Sequence, residues 1–403
     1  MAPEPADCEV LVVGAGPAGS ACARMLARAG LDVLLVDRQD FPREKVCGDG
    51  LIPDAQRALA RLGVLDAVLG RAAVASHVAC VAPHGWRVEV PASLAVLRRR
   101  ELDEIVRRAA LQAGARWFAP ARYEAPLQDA SGRVAGAHLR LPDGTLRTLR
   151  ARWTVLATGA AAPPLLAADM CSRRAASGIA LRGYVKNDAA AGRSRPFEVV
   201  WHRALRRGYG WIFPCGAGVF NIGVGLLDGP RGFEPDVNLR ELFATFTRVH
   251  APARALMQGG SLQGELKGAP LRCSLDGARW SRPGLLVAGE AAGSTYSFTG
   301  EGIGKALESG MLAAEALVAA CVVGDAAVGA RYEAALKALK PRFAAYEQAN
   351  RVNNHPWIAD FVIWRAQRSP GIVRRLGGVL DESYDPRELV TARGLLRMLL
   401  PVN

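Results

Sequence analysis

Short apolar runs at residues 10–13, 33–36, 153–157 and 284–288 show no helical spacing and are bounded by glycine or small residues, which predicts buried strands. Between the first two, residues 17–29 carry a helical pattern that Gly30 stops. Residues 72–98 alternate apolar and polar and read as a hairpin turning at 83–85. Beyond them Leu102, Ile105, Val106, Ala109 and Ala110 share one face of a helix that Gly114 ends. Pro142, Asp143 and Gly144 mark the turn of a further hairpin. From 178 to 283 the pattern becomes mainly strands, with one helical stretch near 239–249, and residues 328–403 read as helices. The chain is therefore expected to be α/β, α+β overall: a parallel-sheet domain interrupted by a largely antiparallel region and followed by a helical tail.

The chemistry begins at the first strand. Gly14, Gly16 and Gly19 follow it in the spacing G-x-G-x-x-G, with Ala15, Pro17 and Ala18 between them. A second strand then ends in Asp37 and Arg38. Gly14 permits the turn, Gly16 admits a pyrophosphate to the backbone, and Gly19 lets the helix approach the strand. The helix start offers free N–H groups to phosphate, and Asp37 is placed for a ribose hydroxyl. These features predict a dinucleotide site and leave open FAD or NAD.

Three more segments extend the candidate site. Residues 39–53 form an irregular loop carrying Arg43, Lys45, Cys47 and Gly48 near the carboxyl edge of the sheet, where ligands bind. Arg99 stands at a helix start, where the dipole disfavours a cation, so either a bound anion or plain solvent exposure is expected. After the strand at 153–157, Gly159 opens a small-residue turn, and Gly289-Glu290 and Gly300-Glu301-Gly302-Ile303 lead into a second glycine-rich helix start. In the 208–226 segment Tyr209, Trp211 and Phe213 alternate on one strand face. Asn221, Gly223 and Gly225 share a face of the return strand and predict a groove where a ligand touches backbone, with core packing of the aromatics as the alternative.

Composition narrows the class. The net charge of +13 suits an anionic substrate, an acidic membrane surface or nucleic acid, but no nucleic-acid motif accompanies it. Eight scattered cysteines and six scattered histidines show no metal-ligand spacing and suggest reduced thiols. No uncharged run of 18 residues is apolar throughout, and no signal-peptide pattern precedes the first strand, so a cytoplasmic protein is expected.

With these segments quoted, the chain resembles the geranylgeranyl reductase family of FAD-dependent oxidoreductases, within the class that includes the aromatic hydroxylase flavoproteins. The likeness runs over about residues 8–310. Its most discriminating piece is Tyr209-x-Trp211-x-Phe213-Pro214, then eight residues and Gly223-x-Gly225. The resemblance implies a Rossmann-like FAD-binding domain (1–75, 95–175 and 284–327), an inserted antiparallel-sheet substrate domain (76–94 and 176–283) and a helical C-terminal region (328–403). It assigns the first glycine segment and Asp37 to the ADP half of FAD. Residues 45–51 and Arg99 then lie beside the flavin, with Cys47 as a catalytic candidate. The 289–293 and 299–304 segments go to the pyrophosphate, ribityl chain and ring. Tyr209, Trp211, Phe213, Gly223 and Gly225 would line the cavity of a hydrophobic or lipid substrate. Reduction of carbon–carbon double bonds is implied, with NADPH or reduced ferredoxin as electron donor and peripheral membrane contact left open. Glu290 stands where aspartate is usual, Ser297 where proline is, and Thr158 where aspartate is frequent. The alternatives are an oxygen-using monooxygenase or halogenase and a non-catalytic prenyl-binding protein. Glu301 in place of the hydroxylases' glutamine, and YGWIFP in place of the halogenases' W-x-W-x-I-P, favour the reductase.

Overall fold

A computed structural model describes residues 7–191, 196–205, 207–227 and 237–399, with the side chains of 322, 323 and 399 left aside. Two sheets organise the chain. The first runs, in order, Ser281–Arg282, Leu285–Val287, Leu146–Leu156, Cys8–Val13, Val33–Val36 and Arg116–Phe118, with Val134–Arg140 and Arg122–Gln128 added as an antiparallel meander. Its last five members in that order are mutually parallel. Both faces of these strands are covered, which is why they read as continuous apolar runs.

Their carboxyl ends stop at one level: Val13 is in register with both Val36 and Leu156, and Leu156 with Val287. The turns at Gly14, Asp37, Ala157 and Ala288 thus open into one crevice. The Pro17–Arg28 helix leaves the first turn with proline in its opening turn, where a missing N–H costs nothing. It packs backbone to backbone on the Ile303–Val323 helix: a Cβ on Gly310 would lie 2.1 Å from the Ala18 carbonyl oxygen.

The second sheet is ordered Ser261–Leu271, Gly178–Lys186, Val219–Leu227, Gly208–Pro214, Phe197–Val200, Ala73–Val81, Arg87–Val96 and Gly50–Leu51. All its pairings are antiparallel except that of Phe197–Val200 with Ala73–Val81. The α/β expectation and the 239–249 helix are both met, and a further helix, Ala251–Gln258, follows. The loop expected at 39–53 contributes its own two-residue strand, Gly50–Leu51, so it is stitched to the second sheet.

The tail forms Val328–Ala349, Arg351–Asn354, Trp357–Ala366, Pro370–Leu380 and Ala392–Leu399. It is fastened to the second sheet's hairpin: Gln367 Nε2 donates to the Arg87 carbonyl at 3.0 Å, and the His84 ring lies 2.7 Å from Asp360 Oδ2. Among the described residues no helix is long and apolar enough to cross a membrane.

Candidate functional site

The dinucleotide cradle is built by close backbone approach. Gly14 has φ +103°, and a Cβ there would lie 2.3 Å from the Ala157 carbonyl oxygen. A Cβ on Gly19 would lie 1.8 Å from the Gly14 carbonyl oxygen, so only glycine lets the helix meet the turn. The Asp37 carboxylate accepts from the Ala15 N–H at 2.8 Å and the Gln39 N–H at 3.0 Å, which fixes the turn. Two guanidiniums converge above Gly16, with Arg43 Nη2 3.5 Å and Arg99 Nη2 3.9 Å from where its Cβ would stand.

Arg99 is not exposed, which corrects the solvent-exposed reading of its place at a helix start. It is buried and donates to both oxygens of Asp103, one turn on, at 2.7 and 2.8 Å. Burial opposes its charge, but Asp103 outweighs burial and holds its pKa above the ordinary value. Arg43 shares the same carboxylate at 3.1 Å. Arg43 Nε also lies 3.7 Å from Asp37 Oδ2, so two guanidiniums are balanced by two carboxylates, and what they turn toward Gly16 is charged N–H donors suited to a pyrophosphate.

The second glycine segment closes the crevice. Gly289 has φ +69° and its N–H donates to Ser309 Oγ at 2.9 Å, while Glu290 Oε2 lies 4.0 Å from Lys45 Nζ. Gly302 precedes the Ile303–Val323 helix, and a Cβ on it would lie 2.6 Å from Thr295 Oγ1.

One cavity of about 730 Å³ gathers these parts. Gly14, Gly16, Pro17, Ala18, Asp37, Arg38, Lys45, Cys47, Gly48, Arg99, Gly159, Gly289, Glu290, Gly300, Gly302 and Ile303 all line it, as do Tyr209, Trp211, Phe213 and Gly225. Ala15, Gly19 and Gly223 lie outside its wall; the first supplies an amide to Asp37 and the second a packing contact.

Gly223 corrects the expected groove. A Cβ there would stand 2.2 Å from Trp211 Cζ2 and 2.6 Å from the Leu181 carbonyl oxygen, so the glycine seats the indole and no space for a ligand remains over it. The aromatic stripe is thereby pushed toward the cavity. Tyr209, Trp211 and Phe213 have successive ring centroids 6.2 and 6.3 Å apart, and Phe213 faces Gly48 and Gly50 across the gap.

A buried polar network, missed by sequence reasoning, holds the 45–51 loop on this hairpin. Trp211 Nε1 donates to Asn221 Oδ1 at 2.9 Å. Asn221 Nδ2 donates to the Cys47 carbonyl and to Asp49 Oδ2, both at 2.8 Å. The Tyr184 hydroxyl donates to the same Asp49 oxygen at 2.6 Å, and the Arg99 N–H to Asp49 Oδ1 at 3.2 Å. Burial raises the Asp49 pKa despite these donors. The only signal in the sequence was an aspartate between two glycines, and its φ of +65° accounts for that choice. Burial also raises the pKa of the Cys47 thiol, more than Arg99 lowers it, so Cys47 is a neutral thiol at the cavity wall at neutral pH.

Beyond the aromatics the cavity turns aliphatic. Val78, Val90 and Leu94 come from the hairpin, Val362 and Ile363 from the Trp357–Ala366 helix, and Leu376 and Val379 from Pro370–Leu380. The tail helices thus wall a hydrophobic chamber continuous with the cradle.

The residues fit a flavin dinucleotide. Besides the glycine cradle and its guanidiniums, Thr158 Oγ1, Thr299 Oγ1, Arg182 Nε and Glu301 Oε2 are buried without a hydrogen-bond partner on cavity-lining residues, as expected of groups awaiting a polar ligand. Among the described residues no cluster of His, Cys, Asp and Glu suits a metal ion.

Comparison with known proteins agrees. A family model described as an FAD binding domain matches residues 7–180. The chain is 36% identical over 342 residues to menaquinone reductase of Mycobacterium tuberculosis (strain H37Rv), covering 77% of this chain and 76% of that one. It is 30% identical over 325 residues to digeranylgeranylglycerophospholipid reductase 1 of Methanopyrus kandleri, covering 79% and 82%. A geranylgeranyl bacteriochlorophyll reductase-like protein from Thermoplasma acidophilum has the same fold, with TM-score 0.73 at 23% identity over 97% of this chain and 95% of that one.

Proposed function

Since the chain belongs to the geranylgeranyl reductase-like family of FAD-dependent oxidoreductases, we propose that it reduces carbon–carbon double bonds of an isoprenoid or similarly hydrophobic substrate. The observation that carries this reading is the continuity of the cavity from a dinucleotide cradle to an aliphatic chamber. Gly14 to Ala18 with Arg43 and Arg99 would hold the FAD pyrophosphate, and Asp37 with Arg38 the adenosine ribose. Lys45, Cys47, Gly48, Gly159, Gly289, Glu290, Gly300, Gly302 and Ile303 would border the ribityl chain and ring. Bound FAD supplies two-electron reduction, with NADPH or reduced ferredoxin as the ultimate donor.

The protein's own part is orientation and exclusion of water. Tyr209 is fixed by donating its hydroxyl to the Thr299 carbonyl, so the aromatic strand and the loop before the Ile303–Val323 helix move as one wall. Trp211 is locked by Asn221 and Gly223. Phe213 packs on Phe197 at 4.9 Å. An apolar chain lying along these rings would place its end among the tail helices.

Extraction of the purified, flavin-loaded protein and mass spectrometry of what its cavity retains tests this. A polyprenyl lipid or quinone is expected. A small polar aromatic compound, together with protein that consumes oxygen in step with that compound's hydroxylation, would overturn the reading.

A further inference from the structure

Glu301 lines the cavity in the loop just before the Ile303–Val323 helix, and its Oε2 is buried without a hydrogen-bond partner. Its backbone is held: the Tyr296 N–H donates to the Glu301 carbonyl, and the Gly300 N–H to the Tyr296 carbonyl, both at 2.9 Å. Behind it lies a buried ionic cluster. Lys305 Nζ meets Glu382 Oε1 at 2.8 Å, Glu308 Oε2 at 2.9 Å and Asp54 Oδ2 at 3.5 Å. Glu382 also accepts from the Tyr296 hydroxyl at 2.7 Å and pairs with two half-exposed arginines, Arg342 at 3.0 Å and Arg57 at 3.5 Å. Room for Asp54 is made by a glycine: a Cβ on Gly304 would lie 2.3 Å from Asp54 Oδ2.

Three carboxylates share Lys305, yet Glu301 has no cation of its own. Burial and the charges of Asp54 and Glu382 push its pKa well above the ordinary value. Asp54 is itself raised to about 6, by burial, although Lys305 opposes the shift. Both shifts favour the protonated acid at this wall, and Tyr209, whose own pKa burial raises, reaches the same loop through its bond to the Thr299 carbonyl.

We propose that Glu301 is the acid that hands a proton to the substrate in this cavity, and that Asp54, seated by Gly304 and Lys305, keeps that proton on Glu301 between turnovers. The inference rests on the double-bond-reduction reading. In the step, the O–H bond of Glu301 breaks and its electron pair stays on the carboxylate. The π pair of the double bond forms the new C–H bond at one carbon, and the other carbon takes a hydride equivalent from the bound two-electron reductant, reduced FAD. Solvent protons then restore Glu301. Glu301 is the catalytic residue here; Asp54 is a positioning residue that acts through it.

The test uses the FAD-loaded protein, reduced anaerobically, with geranylgeraniol in detergent as probe. Glu301→Gln keeps the size of the side chain and removes the acid. It is expected to bind flavin as the parent does and to slow probe reduction about 100-fold or more, the usual worth of a placed acid. An infrared difference spectrum of parent minus Glu301→Gln, without substrate at neutral pH, should show the C=O stretch of a protonated carboxylic acid. The groups facing Glu301 are Asp54, Lys305, Glu382, Tyr209 and Tyr346. Asp54→Asn removes a charge that favours protonation, so the pH above which reduction fails should move down. Unchanged turnover in Glu301→Gln, or no acid band, overturns the proposal and leaves the reductase reading standing. Failure of the parent to reduce the probe overturns that reading, and the proposal with it. Should Glu301→Gln not retain flavin, Asp54→Asn decides, and an unmoved pH profile overturns the proposal.

Discussion

Asp49 is the point at which the flavin-side loop and the substrate hairpin are joined, and its removal has a calculable cost. Asp49→Ala takes the acceptor from the Tyr184 hydroxyl and the Arg99 N–H, and one of two acceptors from Asn221 Nδ2. A buried donor left unpaired costs about 1–3 kcal/mol. Alanine must also adopt the positive φ that Asp49 holds, at about 1–2 kcal/mol. With two such donors and the backbone term, the loss is about 3–8 kcal/mol, large against the marginal stability of a folded domain. Asp49→Asn behaves differently. The buried carboxylate has a raised pKa, so its contribution to stability is full at low pH and falls as pH rises through that raised value. Asparagine escapes this loss and keeps an acceptor for Tyr184 and Asn221, but its amide nitrogen turns a donor toward the Arg99 N–H, so at pH 8 it should fall between the parent and the alanine variant. Urea unfolding of the FAD-loaded protein, followed by tryptophan and flavin fluorescence at pH 5 and pH 8, measures both. An alanine variant with the parent's midpoint, or an asparagine variant as weak as alanine, would refute the reasoning.

Three other substitutions or modifications probe separate parts of the site. Gly223→Ala should lower the thermal midpoint through overpacking worth about 1–3 kcal/mol and alter tryptophan fluorescence, because its methyl collides with the Trp211 ring and the Leu181 carbonyl; an unchanged melt contradicts the seat assigned to the indole. Arg43→Ala removes one of the two guanidiniums above Gly16 and should weaken FAD binding by about 10- to 100-fold in a flavin-fluorescence titration, the worth of one charged hydrogen bond; equal affinity contradicts the placement. Iodoacetamide near neutral pH should label exposed Cys321 well before Cys47, as peptide mass spectrometry would show, since burial keeps the Cys47 thiol protonated; rapid labelling of Cys47 contradicts that state.

The parts of the site legible in the sequence are those in which backbone geometry dictates residue type. Gly14 and Gly19 are read correctly because a Cβ at either would strike backbone, and that constraint is local. Strand ends were legible for the same reason, since apolar runs stop where the crevice begins. Side-chain partners were not. Arg99 looks misplaced beside the helix dipole until Asp103 is seen to neutralise it, one turn away. The alternating aromatics were read correctly as one face, but the glycines opposite seat Trp211 at Gly223, because two facing strands must first accommodate each other. Asp49 meets Tyr184 and Asn221 across 135 and 172 residues, and no local pattern reports such a pair. Glu301 stood out in the sequence only as a departure from glutamine. Its acidity depends on Asp54 and Glu382, brought from distant segments by the fold. The tail was legible as helices, but its role as a chamber wall needed the hairpin it packs against.

The central claim is that the aliphatic chamber presents a double bond to a reduced flavin. Its most direct test is a single turnover without oxygen: the FAD-loaded protein is reduced, mixed with geranylgeraniol, and followed by flavin absorbance and product mass. The account predicts that flavin reoxidises with the probe alone and that the product has gained a pair of hydrogens for each flavin oxidised. Flavin that stays reduced until oxygen is admitted, with oxygen or halogen then appearing in the product, would contradict it.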